Sequence, residues 1–209
     1  MLMKKRKKEN VDKNALAIFI KNPVLGKAKT RIAKDSSDER ALKVYKKLLS
    51  ITHKITSKVD CNRYLFYDQF IDESDIWEPQ IFNKKLQAGN DLGEKMFSAF
   101  SVLNNEKNEN CLLIGSDCPY INPTLIEKAF KALDSNDFVL GPTYDGGYYL
   151  IGMKKASNLV FTDIEWSQET VLEKTIDRIL AIGGKFELLQ QLNDIDHLED
   201  WLEFKSKLN

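Results

Sequence analysis

Two apolar runs in the middle of the chain each end in a lone carboxylate. The first, LLIGSDCP, closes on Asp117; the second, FVLGPTYDGGYYLIG, carries Asp145 ahead of Gly146 and Gly147. Cys111 to Ile114 and Phe138 to Leu140 have the unbroken apolar character of strands covered on both faces. Each acid therefore falls just past a strand's carboxyl end, the edge where open α/β sheets bind their ligands. Two acids on two strand ends can share one divalent cation, and such a cation can hold a diphosphate. Both also have a plainer reading as turn carboxylates, Asp117 beside Pro119 and Asp145 beside the paired glycines.

A third segment belongs with these two. The run Lys21, Asn22, Pro23, Val24, Leu25, Gly26, Lys27, Ala28, Lys29, Thr30, Arg31 follows an apolar strand and precedes a helix. It concentrates cations where a diphosphate needs convergent donors, and Gly26 lets the backbone approach closely. It has neither the GxxxxGK[ST] nor the GxGxxG frame, so a solvated basic turn is the alternative. Gly146 and Gly147 leave room for a sugar or base. Tyr148 and Tyr149 alternate across a strand, which turns one toward the core and the other toward a cleft.

Three further features have two readings each. Asp194-Ile195-Asp196 has the DxD spacing that can hold a metal with a diphosphate, which makes Asp196 a second candidate ligand, but Asp196 also reads as the cap of the last helix. Gly89, Asp91 and Gly93 surround a helix start whose free N–H groups suit an anion or a base edge, or form an ordinary loop-to-helix junction. Trp166 is either a platform for an acceptor or a packing residue. His53 and His197 have no partner at ligand spacing.

The elements that must position these residues alternate between strand and helix. Ala15 to Ile20 reads as the first strand. Apolar residues recurring at three and four from Leu42 to Val59 give an amphipathic helix. Strands are expected at 62–67 and 79–82, and a helix opens at Asp91. Another helix is capped by Asn122 with Pro123 at its first position. Strands follow at 137–140 and 147–152, then a helix from Ser167 to Ile182, a strand at 185–189 and a terminal helix begun by Asp196 and Glu199. This order argues a three-layer αβα sandwich on a mainly parallel sheet.

Bulk composition narrows the partners. The 209 residues suit one large α/β domain over 15–209 behind a disordered basic tail at 1–14 carrying five consecutive cations, Lys4 to Lys8. With 31 basic and 31 acidic residues, global charge does not argue for nucleic acid or a membrane surface. No apolar stretch reads as a signal core or membrane span, and Cys61, Cys111 and Cys118 fit reduced thiols, so a cytoplasmic location is expected. Oligomeric state is silent.

Taken together, KxPxxGxxKTR at Lys21 to Arg31, QxGxDLGxKM at Gln87 to Met96, GSDCP at Gly115 to Pro119, GPxxDGGYYLIG at Gly141 to Gly152 and WSxxTVLxxT at Trp166 to Thr175 resemble a bacterial glycosyltransferase-like family. That family has the nucleotide-diphospho-sugar transferase (GT-A) fold, and some of its members are assigned to arsenosugar biosynthesis. The ending DIDHLEDW looks like the DxDTPEDL of related nucleotidyltransferases, and coverage runs from about residue 15 to 205. The resemblance implies a nucleotide on the first-strand loop, with Lys21, Gly26, Lys29 and Arg31 as phosphate contacts. It also implies Mg2+ or Mn2+ at Asp117 and Asp145 as a second acid near the transferred group. The leading expectation is transfer of a sugar from a nucleotide diphosphate donor to a small acceptor. Nucleotidyl transfer with pyrophosphate release and a non-catalytic nucleotide-binding module are the alternatives. Asn90 stands where the family has a second glycine, no glycine follows Arg31 before the long helix, and His197-Leu198 replaces Thr-Pro.

Overall fold

The computed structural model describes residues 13–207, so the basic run Lys4 to Lys8 lies outside the described residues. Among the described residues seven strands form one sheet in the order β3-β2-β1-β4-β6-β5-β7. They are β1 (Asn14–Ile20), β2 (Asn62–Tyr67), β3 (Phe82–Leu86), β4 (Asn110–Ile114), β5 (Phe138–Pro142), β6 (Tyr148–Met153) and β7 (Phe186–Leu188). Among the described residues β6 alone runs against the others, so the sheet is mainly parallel.

Among the described residues there are six α-helices, α1 (Thr30–Asp35), α2 (Asp38–Thr56), α3 (Leu92–Asn105), α4 (Pro123–Ser135), α5 (Val171–Ala181) and α6 (Leu198–Ser206). Side-chain alternation along β1 divides the core into two layers. Leu16, Ile18 and Ile20 pack with Tyr45 and Leu49 of α2 and with Ile126, Phe130 and Leu133 of α4. Ala15, Ala17 and Phe19 face the other way, onto Met96 and Phe100 of α3 and Ile179 of α5. That is why β1 reads as continuously apolar. Outside α2 a smaller cluster joins Ile32, Val44 and Leu48 to Ile195 and Phe204, which seats α6. The αβα sandwich expected from the alternation is what forms.

Several boundaries differ from the sequence reading. The third strand begins at Phe82, because the Glu78 carbonyl accepts the Ile81 and Phe82 N–H groups (both 2.9 Å) and turns the chain first. Helix α5 starts at Val171 with Thr170 at its N-cap position, and Ser167, at φ 64°, lies in the turn before it instead of capping the helix. The last helix is opened by His197, whose N–H donates to Asp200 Oδ2 (2.6 Å), which leaves the Asp196 carboxylate free for other work. Asp91 and Asn122 cap α3 and α4 as expected, accepting from Glu94 N–H (2.8 Å) and Leu125 N–H (2.9 Å). Cys61, Cys111 and Cys118 are buried and unpaired; burial pushes the Cys61 and Cys111 thiols up to about 12. Among the described residues no helix is long and apolar enough to cross a membrane.

Candidate active site

From β1 the chain crosses to β2 on one side, and β4 pairs on the other, with Ile18 opposite Ile114. The strand order reverses there, and a crevice opens beyond the carboxyl ends of β1 and β4. A cavity of about 610 Å³ occupies that crevice. Its rim is tied together by buried polar side chains. The wholly buried Asn22 donates its N–H to Asp68 Oδ1 (2.7 Å) and its Nδ2 to the Phe70 carbonyl (2.9 Å), joining the loops after β1 and β2. Gln87 Nε2 donates to the Ile20 and Phe66 carbonyls (both 3.1 Å). The Tyr45 hydroxyl, brought in by α2, accepts the Lys21 N–H (2.8 Å) and lies 3.2 Å from Ser116 Oγ. One phenol thus joins the basic loop to the loop that carries Asp117.

At the floor sits Lys29, the residue preceding α1, in left-handed backbone with φ 52° and ψ 48°. Its ammonium lies 2.9 Å from Asp117 Oδ1 and 3.5 Å from Asp196 Oδ1, and it donates to the Ile195 carbonyl at 2.6 Å. Burial opposes this charge, but Asp117, Asp196 and Asp194 overcome it and hold the lysine above its ordinary range. Arg31 Nη1 donates to Asp196 Oδ2 at 2.7 Å. The two acids of the DID string arrive because the chain beyond β7 keeps pairing along the carboxyl rim. Leu192 N–H donates to the Pro142 carbonyl (3.0 Å) and Ile195 N–H to the Asp117 carbonyl (2.9 Å).

Asp194 stands out chemically. Its Oδ1 is fully buried and has no hydrogen-bond partner among the described residues. Burial first, then the neighbouring Asp117 charge, pushes its carboxyl up to about 7, with Lys29 only partly compensating. A carboxyl raised in the folded state retains its proton where the unfolded chain has lost it. Its contribution to stability is therefore full below about pH 4 and lost as pH rises toward 7. Asp194→Asn is expected to melt several degrees above wild type at pH 8 without metal, and at the same temperature at pH 4. Equal melting at both values in calorimetry would show that the carboxylate carries no burial penalty.

The donor set suits a hard divalent cation. Asp117 and Asp194 both line the cavity, one ion-paired and the other with an unsatisfied oxygen. Among the described residues no group of three or more histidine, cysteine or acidic side chains is placed to hold a metal by itself. An ion at these two acids would complete its coordination with water and substrate oxygens, as Mg2+ commonly does.

The cavity gathers Lys21, Lys29, Thr30, Arg31, Asp117, Tyr148 and Asp196 from the residues expected from sequence. The others lie outside its lining. Gly26, at φ 73°, packs toward Asp38, and Pro23 precedes it in the same turn. Asp91 is engaged in capping α3, while Gly89, at φ 140°, backs onto Glu94 and Lys95. Gly93 is buried against Trp166 and Phe161, and the partly buried Trp166 packs on the α3 layer. Asp145 is exposed on the turn after β5, where its Oδ1 accepts the Gly147 N–H (3.2 Å), and its charge reaches Asp194. Gly146 and Gly147 shape that turn. Both tyrosines border the cavity, Tyr149 buried with its hydroxyl donating to the Gln190 carbonyl (2.9 Å) and Tyr148 half-buried. Sequence reasoning missed Tyr45, Asn22 and Lys95; Tyr45 was visible only as one apolar position of a helix, and its role depends on which loops α2 meets.

A crystal structure of a "putative nucleotide-diphospho-sugar transferase" from Desulfovibrio desulfuricans G20 superposes with TM-score 0.80 at 28% identity, covering 88% of this chain and 82% of that one. The 4-diphosphocytidyl-2C-methyl-D-erythritol synthase of Anaerococcus prevotii DSM 20548 is similar at TM-score 0.61 and 15% identity, over 94% and 96% of the two chains. The inositol-1-phosphate CTP transferase of T. maritima gives TM-score 0.54 at 15% identity, over 91% of each. The last two share the fold alone. No curated protein matches the chain. Residues 51–168, more than half of the sequence and inclusive of the GSDCP and DGGYYLIG segments, match the family described as uncharacterized protein conserved in bacteria (DUF2064), and the chain belongs to that family.

Proposed function

We propose that this protein is a nucleotide-utilising transferase that moves a sugar from a nucleotide diphosphate donor to a small acceptor, with Mg2+ or Mn2+ bound by Asp117 and Asp194. One observation carries the reading. The buried ammonium of Lys29 and the carboxylate of Asp117 meet at 2.9 Å in the crevice between the ends of β1 and β4. That juxtaposition gives a diphosphate a cation-rich wall and a carboxylate-held ion in one place. The similarity to the Desulfovibrio protein supports the same class.

Within the cleft each side chain has a defined task. Asp117 and Asp194 would hold the divalent ion, which when bound supplies positive charge to the leaving diphosphate. Asp194 replaces Asp196 as the second ligand in this reading, because its buried Oδ1 has no partner among the described residues whereas both Asp196 oxygens are paired, with Lys29 and with Arg31. Lys21 and Lys95 line the cavity without an ion-pair partner among the described residues, so their ammonium groups are available to phosphate oxygens. Asp145, exposed on the neighbouring turn outside the cavity lining, would take a proton from an acceptor hydroxyl or add a further metal contact.

A thermal-shift panel of nucleotide sugars and nucleoside triphosphates, each with and without Mn2+, tests this. A nucleotide sugar at a hundred times its Kd should add about 2.7 kcal/mol, or about 5–10 °C for a chain of this length, and only with the metal. The stabilising donor should then release its nucleoside diphosphate on turnover. Pyrophosphate released from a triphosphate would assign nucleotidyl transfer instead. Metal-dependent binding without turnover across an acceptor panel would leave a binding module.

A further inference from the structure

The ammonium of Lys29 is fully used. A lysine has three N–H donors, and here the Ile195 carbonyl (2.6 Å), Asp117 Oδ1 (2.9 Å) and Asp196 Oδ1 (3.5 Å) surround it while its side chain is 6% exposed. As it sits, Lys29 has no hydrogen left for a phosphate. The oxygens it holds include one that the proposed divalent ion needs, and the neighbouring Asp194 Oδ1 is the one it leaves unsatisfied. We infer that Lys29 is a stand-in cation, occupying the carboxylates until a divalent ion and a diphosphate arrive together and exchange places with it.

The charge balance of that exchange explains why it takes both ligands. A metal ion arriving alone would take Asp117 and leave a buried ammonium beside a divalent cation, facing repulsion with a partner lost. A diphosphate arriving alone would find the Lys29 donors committed and the carboxylates close by. When both bind, the ion takes Asp117 and Asp194 and the freed Lys29 hydrogens turn to phosphate oxygens. Each ligand then raises the affinity of the other, and the linkage is reciprocal. The left-handed backbone at Lys29 is consistent with a side chain held by its surroundings at a working site.

This inference rests on the metal-dependent reading above, and the experiment separates the two. Mn2+ alone is titrated by calorimetry into wild type, Lys29→Met and Arg31→Met, and then again with methylenediphosphonate as the diphosphate probe. Lys29→Met should bind Mn2+ alone about tenfold or more tightly than wild type, since a competing charge-assisted contact is gone. Arg31→Met removes the same charge from the same Asp196, but the Arg31 side chain is 56% exposed, so its gain should stay below about fivefold. The diphosphonate should tighten Mn2+ binding in wild type and do so less in Lys29→Met. Lys29→Gln provides a second neutral variant, with circular dichroism confirming the fold of each. Mn2+ affinity in the Lys29 variants no higher than wild type, or equal gains from Lys29→Met and Arg31→Met, would overturn the exchange while leaving the metal–diphosphate site intact. Absence of Mn2+ binding in every protein, with and without the probe, would end both.

Discussion

Asp117→Ala is expected to lower metal-dependent turnover by about a hundredfold or more, in the range found when a preorganised charge-stabilising contact is removed. The fold should survive. The Asp117 side chain is 45% exposed but the Lys29 side chain is only 6% exposed, so loss of the pair leaves a buried ammonium short of one partner and should cost about 1–3 kcal/mol. Asp117→Asn distinguishes charge from shape, since it keeps the volume and loses the anion that a divalent ion requires. Both variants should stay folded, melting no more than about 10 °C below wild type, and show no Mn2+-dependent shift with a nucleotide. Retained turnover in Asp117→Ala, measured with the donor that stabilises wild type, would place the chemistry away from the β4 rim.

A second large effect is structural. Gly146→Ala is expected to destabilise the protein by about 3 kcal/mol or more, lowering Tm by about 6–12 °C. Gly146 has φ +85°, and a Cβ built there would lie 1.9 Å from the Glu169 carbonyl oxygen. Backbone, not a movable side chain, occupies that space. The Gly146 carbonyl also accepts the Leu172 N–H (2.8 Å), so this turn anchors the start of α5 and the segment carrying Ser167 at the cavity wall. The substitution must move one segment or the other. Gly183→Ala is the comparison, because its φ is +72° but nothing lies within 4 Å; it should show only the cost of the backbone conformation, about 1–2 kcal/mol. Equal melting of the two variants in scanning calorimetry would mean that the contact with Glu169 is not what constrains Gly146.

The parts of the fold legible in the sequence are those whose physics is local. Unbroken apolar runs marked β1 and β4 because both faces are covered, and the Asp91 and Asn122 caps satisfy N–H groups only three residues away. β3 was displaced because its pattern is disguised by lysines. Lys84 is nearly buried, donating to the Asp72 carbonyl (2.6 Å) and pairing with Asp75 (2.9 Å), which also accepts the Tyr67 hydroxyl (2.6 Å). Such a network depends on a loop folding back over the strand, which no periodicity records.

The same division runs through the site. Lys21, Lys29, Arg31 and Asp117 were legible because they lie in, or just beyond, the loops that leave the carboxyl ends of β1 and β4. Asp194 appeared only as half of a short string, since its burial depends on the chain beyond β7 crossing from Pro142 to Asp117. Trp166 and Gly93 have the residue types of a ligand platform, yet they fill each other's space. Asp196 looked like a cap and proved free of that duty because His197 and Asp200 close the helix themselves.

The most direct test is the anomalous scattering of Mn2+ in crystals grown with the nucleotide that stabilises the protein. A peak within coordination distance of Asp117 and Asp194, with diphosphate oxygens on the same ion and Lys29 turned toward them, is the expected result. A manganese–nucleotide complex bound anywhere other than the crevice between β1 and β4 would contradict the account.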